Sequence, residues 1–298
     1  MQRAKLEKFF KYARDRHSIY LLRQEGTPKD QLTRDPIFQK FRFTNVFREL
    51  DKTTDWFRRN VRDDMRDDPD VLLATVVFRM FNRIAVGEAV FCQPDLGRNT
   101  AFALFCNSGD VRPMRKLIKD FLPSGPYVTG AYIITSPPGY SKLDGILKIL
   151  SDFYKDDWRS QAKYMAKRRS VTLQEAWLWL KTKKFFGKFH SYEIVTDLRW
   201  TKLLDHAPDV MTWCSVGPGA RRGLNRVAGR DKRDHSRTTE QMLAEMGDLL
   251  QYSRSENLWP RECGWPEWEM RDVEHTLCEF DKYERVRLGE GRPRGVFS

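Results

Sequence analysis

Apolar residues recur at helical spacing along most of this chain, in stretches that open with helix-capping residues. In residues 2–23 the apolar stripe comprises Leu6, Phe9, Phe10, Ala13 and Tyr20. Ser141 and Thr238 are predicted N-caps, and the TLQE sequence at 172–175 is a capping box. Only residues 127–135, YVTGAYIIT, have β character, and one such run cannot form a sheet. The pattern therefore predicts a mainly α fold, in which 127–135 is a buried extended segment or a short helix.

The length and the apolar content bound the domain organisation. A chain of 298 residues with 40% hydrophobic residues can bury a sizeable core, as one large domain or two small ones. Capping signals and helical periodicity agree over most of the chain, which predicts a single helical domain over 1–288. Residues 289–298 are rich in Gly and Arg, and we expect a flexible tail there.

The charge balance is strongly basic. The chain has 53 Lys and Arg against 41 Asp and Glu, a formal net charge of +12. Residues 155–202 hold twelve basic and five acidic residues, and residues 221–237 hold seven and two. These stretches indicate a polyanionic partner, most simply nucleic acid, and binding that weakens steeply with added salt.

Other patterns argue against membranes, disulfides and metal sites. No stretch approaches the roughly 18 apolar residues of a membrane span, and the first ten residues lack a signal-peptide h-region. No CxxC, HxxxH or HxH spacing occurs, so we expect free thiols, a cytoplasmic protein and no metal held by protein ligands alone. Carboxylates could still hold Mg²⁺ together with substrate phosphates. The cysteines are Cys92, Cys106, Cys214, Cys263 and Cys278.

Polar residues are concentrated inside a stretch that otherwise reads as a core helix, 42–57. Its apolar stripe comprises Val46, Phe47, Leu50 and Phe57. Within about two turns it also carries the polar set Thr44, Asn45, Arg48, Asp51 and Lys52. On a helix these side chains could converge on one site, and the alternative is a solvated face with ordinary ion pairs.

Two further polar sets interrupt core-forming stretches. Asn82 and Arg83 end one apolar helix, where Asn82 is alternatively a C-terminal cap. The last predicted helix carries Glu279, Asp281, Lys282 and Arg285. Because one core has little reason to bury so many charges, we expect the 44–52 and 279–285 sets to meet around a ligand.

A glycine-rich segment, GPGARRG at 217–223, is a candidate phosphate site. Its glycines allow close backbone approach, and the guanidinium groups of Arg221 and Arg222 bind oxygens in a bidentate fork. A basic surface loop is the alternative. Because the chain has no GxxxxGK[ST] sequence, a kinase activity of this chain alone is not favoured.

Residues 172–203 predict two helices joined by a glycine-containing hairpin. They resemble the helix–hairpin–helix motif of base-excision DNA glycosylases, although Phe189-His190 replaces the second glycine. An ordinary helical hairpin is the alternative. The motif predicts phosphate contacts to DNA from this region. The predicted DNA-binding residues are Lys163, Lys184, Gly187, Lys188 and His190.

Short motifs in order along the chain resemble one family. They are FTNVFR at 43–48, DKTT at 51–54, FRMFNR at 78–83, GAY at 130–132, GPGA at 217–220 and LCEFDKY at 277–283. Together they resemble the helical domain family named from phage 5-hydroxymethyluracil DNA kinases, which includes the α-glutamyl/putrescinyl-thymine pyrophosphorylases, or amino acid:DNA transferases. The resemblance spans about 41–285.

The resemblance implies a transferase of bacteriophage thymidine hypermodification with a glycosylase-like helical fold. The expected substrate is double-stranded DNA carrying a phosphorylated or pyrophosphorylated 5-hydroxymethyluracil. The second substrate is a free amino acid, such as glycine, or another amine, which displaces the leaving group. A base kinase is a further partner that the resemblance allows. No particular cofactor is indicated, and Mg²⁺ could accompany the substrate phosphate.

The resemblance also implies roles for the polar residues. A carboxylate or imidazole must take the proton of the amine, and an arginine must hold the amino acid carboxylate. Cys214 could add to the pyrimidine, although a buried structural role is favoured. The catalytic candidates are Asn45, Arg48, Asp51, Asp209 and Glu279. The candidates for phosphate or amino acid binding are Lys52, Arg83, Gly217, Gly219, Arg221, Arg222, Asp281, Lys282 and Arg285.

Two other functions remain open from the sequence. A DNA glycosylase of the same architecture would need an aspartate after the hairpin and often a hairpin lysine, and Asp209 and Lys188 occupy such positions. A non-catalytic DNA-binding partner of a base kinase would need only the basic surfaces. The amine donor, the leaving group, the DNA sequence context and the oligomeric state do not follow from the sequence.

Overall fold

The computed structural model describes residues 2–92, 100–130, 134–255, 258–260 and 264–293. These residues form fourteen α-helices, α1 to α14, and no β-strand occurs among them. The mainly α prediction is confirmed. The described chain groups into two compact units, Met1–Asp51 with Val210–Ser298 (unit 1) and Lys52–Asp209 (unit 2). That 1–288 acts as a single domain stays a prediction.

Unit 1 is arranged around its last helix. Its helices are α1 (Arg3–Gln24), α2 (Pro36–Lys40), α12 (Pro218–Ala228), α13 (Thr239–Ser255) and α14 (Met270–Arg287). Helix α14 packs against the other four. Its core is strongly aromatic: Phe9 contacts the rings of both Trp268 and Phe280. Such packing gives α14 a fixed position from which its polar residues project.

Helices α12 and α14 approach each other through two glycines on one face of α12. A Cβ atom at Gly223 would lie 2.1 Å from the carbonyl oxygen of Leu277, and one at Gly219 would lie 2.3 Å from Cys278 Sγ. Only a residue without a side chain allows backbones to come this close. The glycines at i and i+4 therefore serve helix packing.

Unit 2 surrounds α4, whose eleven residues are all buried. Helix α4 packs against α5, α8, α9 and α11. A helix whose side chains are almost all apolar can be buried on every side. The helices of the unit are α3 (Lys52–Phe57), α4 (Val71–Phe81), α5 (Ile84–Phe91), α6 (Ala101–Ser108), α7 (Arg112–Phe121), α8 (Lys142–Tyr154), α9 (Trp158–Lys167), α10 (Leu173–Lys181) and α11 (Lys188–Leu198).

A buried ion pair joins α4 to α11. Arg79 donates two hydrogen bonds to the carboxylate of Asp197 and further bonds to Asn82 and Thr54. Asn82 adopts a left-handed conformation with φ 47° and ends α4, which confirms its prediction as a C-terminal cap. The Asn82 side chain thus belongs to a buried structural network, whose loss would leave charges unpaired.

The prediction that 42–57 is one helix is wrong. Residues 42–45 are not helical, Arg48–Leu50 forms one 3₁₀ turn, and α3 starts only at Lys52. The Asp51 carboxylate accepts a hydrogen bond from the backbone N–H of Asn45, which holds the chain in this turn. Buried Phe43 and Val46 anchor the non-helical part, so tertiary contacts outweigh the helical periodicity.

Most predicted helix starts are confirmed by their caps. Ser141 accepts a hydrogen bond from the backbone of Asp144 at the start of α8, and Thr172 with Glu175 forms the capping box of α10. Of the segment 127–135, residues 131–133 lie outside the described residues, as do Cys263 and 294–298. Gly97, the predicted start of a helix that ends at Cys106, also lies outside them. The flexibility of the tail therefore stays a prediction.

Candidate functional site

Two predicted polar sets, far apart in sequence, meet in unit 1. The backbone N–H of Thr44 donates to Glu279 Oε2 at 2.9 Å, and the Thr44 hydroxyl lies 2.7 Å from His275 Nε2. His275 and Glu279 are one turn apart on α14, so both side chains project from the same face. The turn at 44–51 and the middle of α14 thus form one polar cluster, here named the α14 cluster.

The turn side of the α14 cluster is held by an arginine of α1. Arg16 donates to Asn45 Oδ1 and to the backbone oxygen of Phe43. Arg48 in turn donates to Asp51 Oδ2 at 3.0 Å, while Asp51 Oδ1 receives the Asn45 backbone. The predicted residues Asn45, Arg48 and Asp51 are therefore neighbours. The backbone joins Asn45 to Thr44, whose N–H donates to Glu279.

Two buried donors at this place have no hydrogen-bond partner among the described residues. They are Tyr12 Oη and Arg16 Nη1. Burial lowers the pKa of Arg16, whereas Tyr12, Asp51 and Glu279 act in the opposite direction. Burial, and then the Glu279 charge, raise the pKa of Tyr12 well above its ordinary value. An unsatisfied buried donor is costly, so both groups are candidates for a ligand oxygen.

Glu279 is a carboxylate kept ionised. Burial by itself would raise its pKa. The charge of Lys282, the charge of His275 when its imidazole is protonated, and the hydrogen bonds from Lys282 and Thr44 bring the pKa below the ordinary value. Lys282 Nζ lies 2.7 Å from Glu279 Oε2. The neighbouring thiol of Cys278 is not a nucleophile, because burial raises its pKa to about 12. Glu279 can bind an ammonium group but is a weak proton acceptor, a role that the His275 imidazole fits better.

A second group on α14 is a carboxylate surrounded by arginines. Asp281 is fully buried and is contacted through Nε by Arg222 at 2.8 Å, Arg226 at 2.9 Å and Arg285 at 3.4 Å. The side chains of Arg222 and Arg285 remain about one-third exposed. Because Asp281 engages their Nε atoms, their terminal nitrogens can point elsewhere. That arrangement suits binding of a phosphate oxygen.

The prediction of a glycine-rich phosphate loop at 217–223 is wrong in its conformation. Gly217 precedes α12, whereas Gly219 and Gly223 lie within α12 and pack against α14. The Gly217 N–H is directed at Glu274 Oε1, at 3.4 Å. Arg221 Nη1 lies 2.7 Å from His235 Nδ1. Of the donors predicted there, Arg222 is the one that joins the Asp281 group.

Other predicted residues lie in unit 2. Lys52 is exposed at the start of α3, and Arg83 precedes α5. The Asp209 carboxylate accepts hydrogen bonds from the backbone N–H groups of Leu173 and Gln174. Asp209 therefore stabilises the N-terminus of α10, a structural contact that a catalytic carboxylate would not need.

The predicted DNA-binding lysines of unit 2 are accessible. Lys163, Lys184, Gly187 and Lys188 are all exposed. His190 is an exception: it is buried, and burial lowers its pKa to about 4, so it is neutral near pH 7. Its predicted place on the basic surface is wrong, since the side chain of this helical residue faces the core.

The basic stretch 221–237 is mostly neutralised by ion pairs. Besides the pairs with Asp281, Arg230 and Arg237 contact Glu245, and Lys232 contacts Glu290. Burial raises the pKa of Cys214 well above its ordinary value, which agrees with a structural role for that thiol. The charge excess available to a polyanion therefore lies mainly in unit 2.

Three residues of the α14 cluster were not predicted from the sequence: Tyr12, Arg16 and His275. A sequence signal was present for Arg16 and for His275. Arg16 continues the buried stripe of α1 three residues after Ala13, where a core helix would carry an apolar side chain. His275 lies four residues before Glu279, the spacing that places two side chains on one helix face.

Among the described residues, no group of three or more His, Cys, Asp or Glu side chains is placed to hold a metal ion. No helix in the described part of the chain is long and apolar enough to cross a bilayer. A surface groove of about 640 Å³ runs along α1 and Leu258, and none of the predicted site residues lines it.

The comparison with protein families gives one match. The family described as "5-hmdU DNA kinase, helical domain" matches residues 3–292, which include every helix described above. Neither curated proteins nor solved structures gave a significant match. Since the family match covers nearly the whole sequence, this chain belongs to the 5-hmdU DNA kinase helical-domain family.

Proposed function

We propose that this chain is a transferase of thymidine hypermodification. It would replace the phosphate or pyrophosphate on a 5-hydroxymethyluracil base in DNA with the amine of an amino acid such as glycine. One observation carries the proposal: Asn45, Arg48 and Asp51 lie beside His275 and Glu279, where Tyr12 Oη and Arg16 Nη1 have no hydrogen-bond partner among the described residues. Family membership in modified-base metabolism supports it.

The proposed reaction is a displacement at the methylene carbon attached to C5. The amine nitrogen forms a bond to this carbon, the bond from the carbon to the phosphate oxygen breaks, and the oxygen leaves with the electron pair. Glu279 would hold the incoming ammonium group, and His275 would take its proton before attack. Arg16 and Tyr12 would bind the carboxylate of the amino acid, which orients the amine.

The leaving group carries its charge away as phosphate. Arg222 and Arg285, held through Nε by Asp281, would stabilise that charge as it develops. A Mg²⁺ ion that accompanies the substrate phosphate stays a prediction, and no step above depends on it. A base extruded from the duplex, as in a glycosylase-like arrangement, is part of the same proposal.

Nucleoside mass spectrometry tests the proposal. DNA containing phosphorylated or pyrophosphorylated 5-hydroxymethyluracil is incubated with the protein and a mixture of amino acids, then digested to nucleosides. We expect a new nucleoside whose mass is that of 5-hydroxymethyldeoxyuridine with its hydroxyl group replaced by the amine. The proposal is wrong if the DNA stays unchanged with both the phosphate and the pyrophosphate leaving group and with every amine tested.

A non-catalytic partner of a base kinase is the second candidate. The polar groups of the α14 cluster partly satisfy one another, as the Arg48–Asp51 and Lys282–Glu279 pairs illustrate. Under this function, substitutions in the α14 cluster would alter folding but no chemical step. Kinase activity measured with and without this chain distinguishes it, because only a partner would change the rate of base phosphorylation.

A DNA glycosylase is not supported by the position of its required aspartate. Asp209 is engaged by two backbone N–H groups of α10. Incubation with damaged duplexes, followed by detection of abasic sites, decides between the glycosylase and the transferase.

A further inference from the structure

The hairpin between α10 and α11 carries large apolar side chains on its surface. Phe189 is 55% exposed and Leu178 is 48% exposed. Trp177 connects α10 to the start of α11, because its indole N–H donates to the backbone oxygen of Lys188 at 2.9 Å. We name the surface formed by Trp177, Leu178, Lys181, Lys184, Lys188 and Phe189 the hairpin face.

The hairpin face is also uniformly basic. No Asp or Glu occurs between Glu175 and Glu193. Lys181 Nζ lies 3.9 Å from the ring centre of Trp177, and Lys184 and Lys188 are exposed. These three lysines form no ion pair among the described residues, whereas Lys183 nearby is paired with Asp156 and Asp157.

The apolar residues of the hairpin are not all exposed. Phe186 and Leu180 are buried, and Phe186 stacks on Phe153 of α8. The hairpin therefore has a core of its own that fixes its conformation. An aromatic ring that stays more than half exposed on a basic surface costs solvation, which is typical of a binding surface.

We propose that the hairpin face binds a DNA strand through both phosphates and bases, with Phe189 stacking on an unpaired base. This inference rests on DNA being the partner in the proposed function. The lysines would neutralise the backbone, and the ring would hold a base that has left its stack. Aromatic rings flanked by positive charge bind unstacked bases of any sequence. Lysines by themselves bind only the phosphate backbone.

Fluorescence anisotropy with labelled DNA separates the two contributions. Wild-type protein, Phe189→Ala and the double variant Lys184→Ala/Lys188→Ala are titrated with a duplex that contains one unpaired base and with a fully paired duplex of the same length. We expect Phe189→Ala to lose about tenfold in affinity for the first duplex and much less for the second, with an unchanged salt dependence. The double lysine variant should weaken binding to both duplexes and lower the salt slope by about two.

Two variants control for other effects. Phe121→Ala removes another exposed phenylalanine of unit 2, 51% exposed on α7, and should bind as wild type does. Phe189→Trp retains a stacking ring and should retain affinity. Quenching of 2-aminopurine placed as the unpaired base gives a second readout, since stacking on Phe189 changes its fluorescence and Phe189→Ala should abolish the change.

Three outcomes would overturn the inference. Equal affinities of Phe189→Ala and wild type would mean that the hairpin face is an electrostatic contact only. Wild-type affinity of both Phe189→Ala and the double lysine variant would mean that DNA does not bind to the hairpin face. Binding of an acidic protein to the hairpin face in place of DNA would have the same meaning. None of these measurements uses a modified base or an amine, so loss of stacking is distinguishable from failure of the proposed transfer.

Discussion

At the scale of single residues, the side chains of the α14 cluster hold one another in place and are also the groups proposed to act in the reaction. Arg48 pairs with Asp51, and Asp51 also holds the backbone of Asn45. Such pairing fixes each side chain at low conformational cost. It also means that a substitution acts on position as well as on charge, so activity and folding must be measured together.

Replacement of Arg48 by Ala should reduce transfer at least about a hundredfold, because it removes a positive charge from the α14 cluster and releases Asp51. DNA affinity should remain within about twofold of wild type, since Arg48 is only 12% exposed. Single-turnover transfer and DNA anisotropy measure the two quantities.

Lys163→Ala is the matched control, because Lys163 is exposed on α9 of unit 2. It should weaken DNA binding and leave transfer at saturating DNA unchanged. A thermal unfolding curve of Arg48→Ala like that of wild type, combined with normal transfer, would exclude Arg48 from the reaction.

At the scale of helices, unit 1 depends on how closely α12 and α14 pack and on how α14 begins. The glycine pair of α12 sets the distance between the helices. The N-terminus of α14 is closed by a capping box between Glu269 and Asp272. Both features act on the helix that carries His275 and Glu279, so each gives a test of how the site is held.

Gly223→Ala should destabilise the protein by about 1–3 kcal/mol or more, because the new methyl group would meet the backbone of α14. Gly247→Ala is the control in α13, where a Cβ would meet only Met270 Cε at 3.9 Å. That change should stabilise the protein by about 0.5–1 kcal/mol, as alanine does in a helix interior. Denaturant unfolding of both variants decides, and equal effects would contradict the role of Gly223 in packing.

Asp272 should make stability fall as the pH rises from about 4 to about 7. Burial raises the pKa of Asp272 to about 7 in the folded state from an ordinary 3.8. Between these values the folded state binds more protons than the unfolded state, so the stabilisation is complete below pH 4 and is lost toward pH 7. This pKa difference between the folded and unfolded states corresponds to a loss of roughly 4 kcal/mol in the free energy of unfolding at most.

Asp272→Asn removes this titration and should flatten the pH dependence of the free energy of unfolding. Denaturant titrations of wild type and variant at several pH values measure the difference between them. A difference that is constant from pH 4 to pH 8 would show that Asp272 titrates normally in the folded protein.

At the scale of the whole molecule, the net charge of +12 is unevenly available. Arginines of α12 and of the segment after it are committed to Asp281, Glu245 and Glu290. Exposed lysines of unit 2, such as Lys163, Lys184 and Lys188, are not so committed in the described residues. DNA binding should therefore depend on unit 2 more than on 221–237.

The salt dependence of DNA binding measures this difference. Removal of Lys163, Lys184 and Lys188 together should lower the slope of log affinity against log salt by about three. Removal of Arg233, Arg237 and Lys232 should change it by less than about one. The reverse order would show that the ion pairs of unit 1 open in the complex.

The sequence by itself determined the helices and the choice of polar residues. Local pattern is sufficient to predict the helices, because capping and apolar stripes depend on neighbours within one or two turns. Examples are the caps at Ser141, Thr172 and Thr238 and the apolar stripe of α1. Charged residues interrupt the apolar periodicity in the 44–52 and 279–285 sets, which is why both sets could be predicted from the sequence.

Only the tertiary structure decided how those residues are used. Residues 43–51 do not form an α-helix, because Arg16 binds the backbone oxygen of Phe43 and Asp51 binds the backbone N–H of Asn45. Gly223 serves packing because Leu277 lies against it. Three arginines share Asp281, which no local pattern indicates. Each of these contacts joins segments distant in sequence, and its free energy exists only once the core has brought them together.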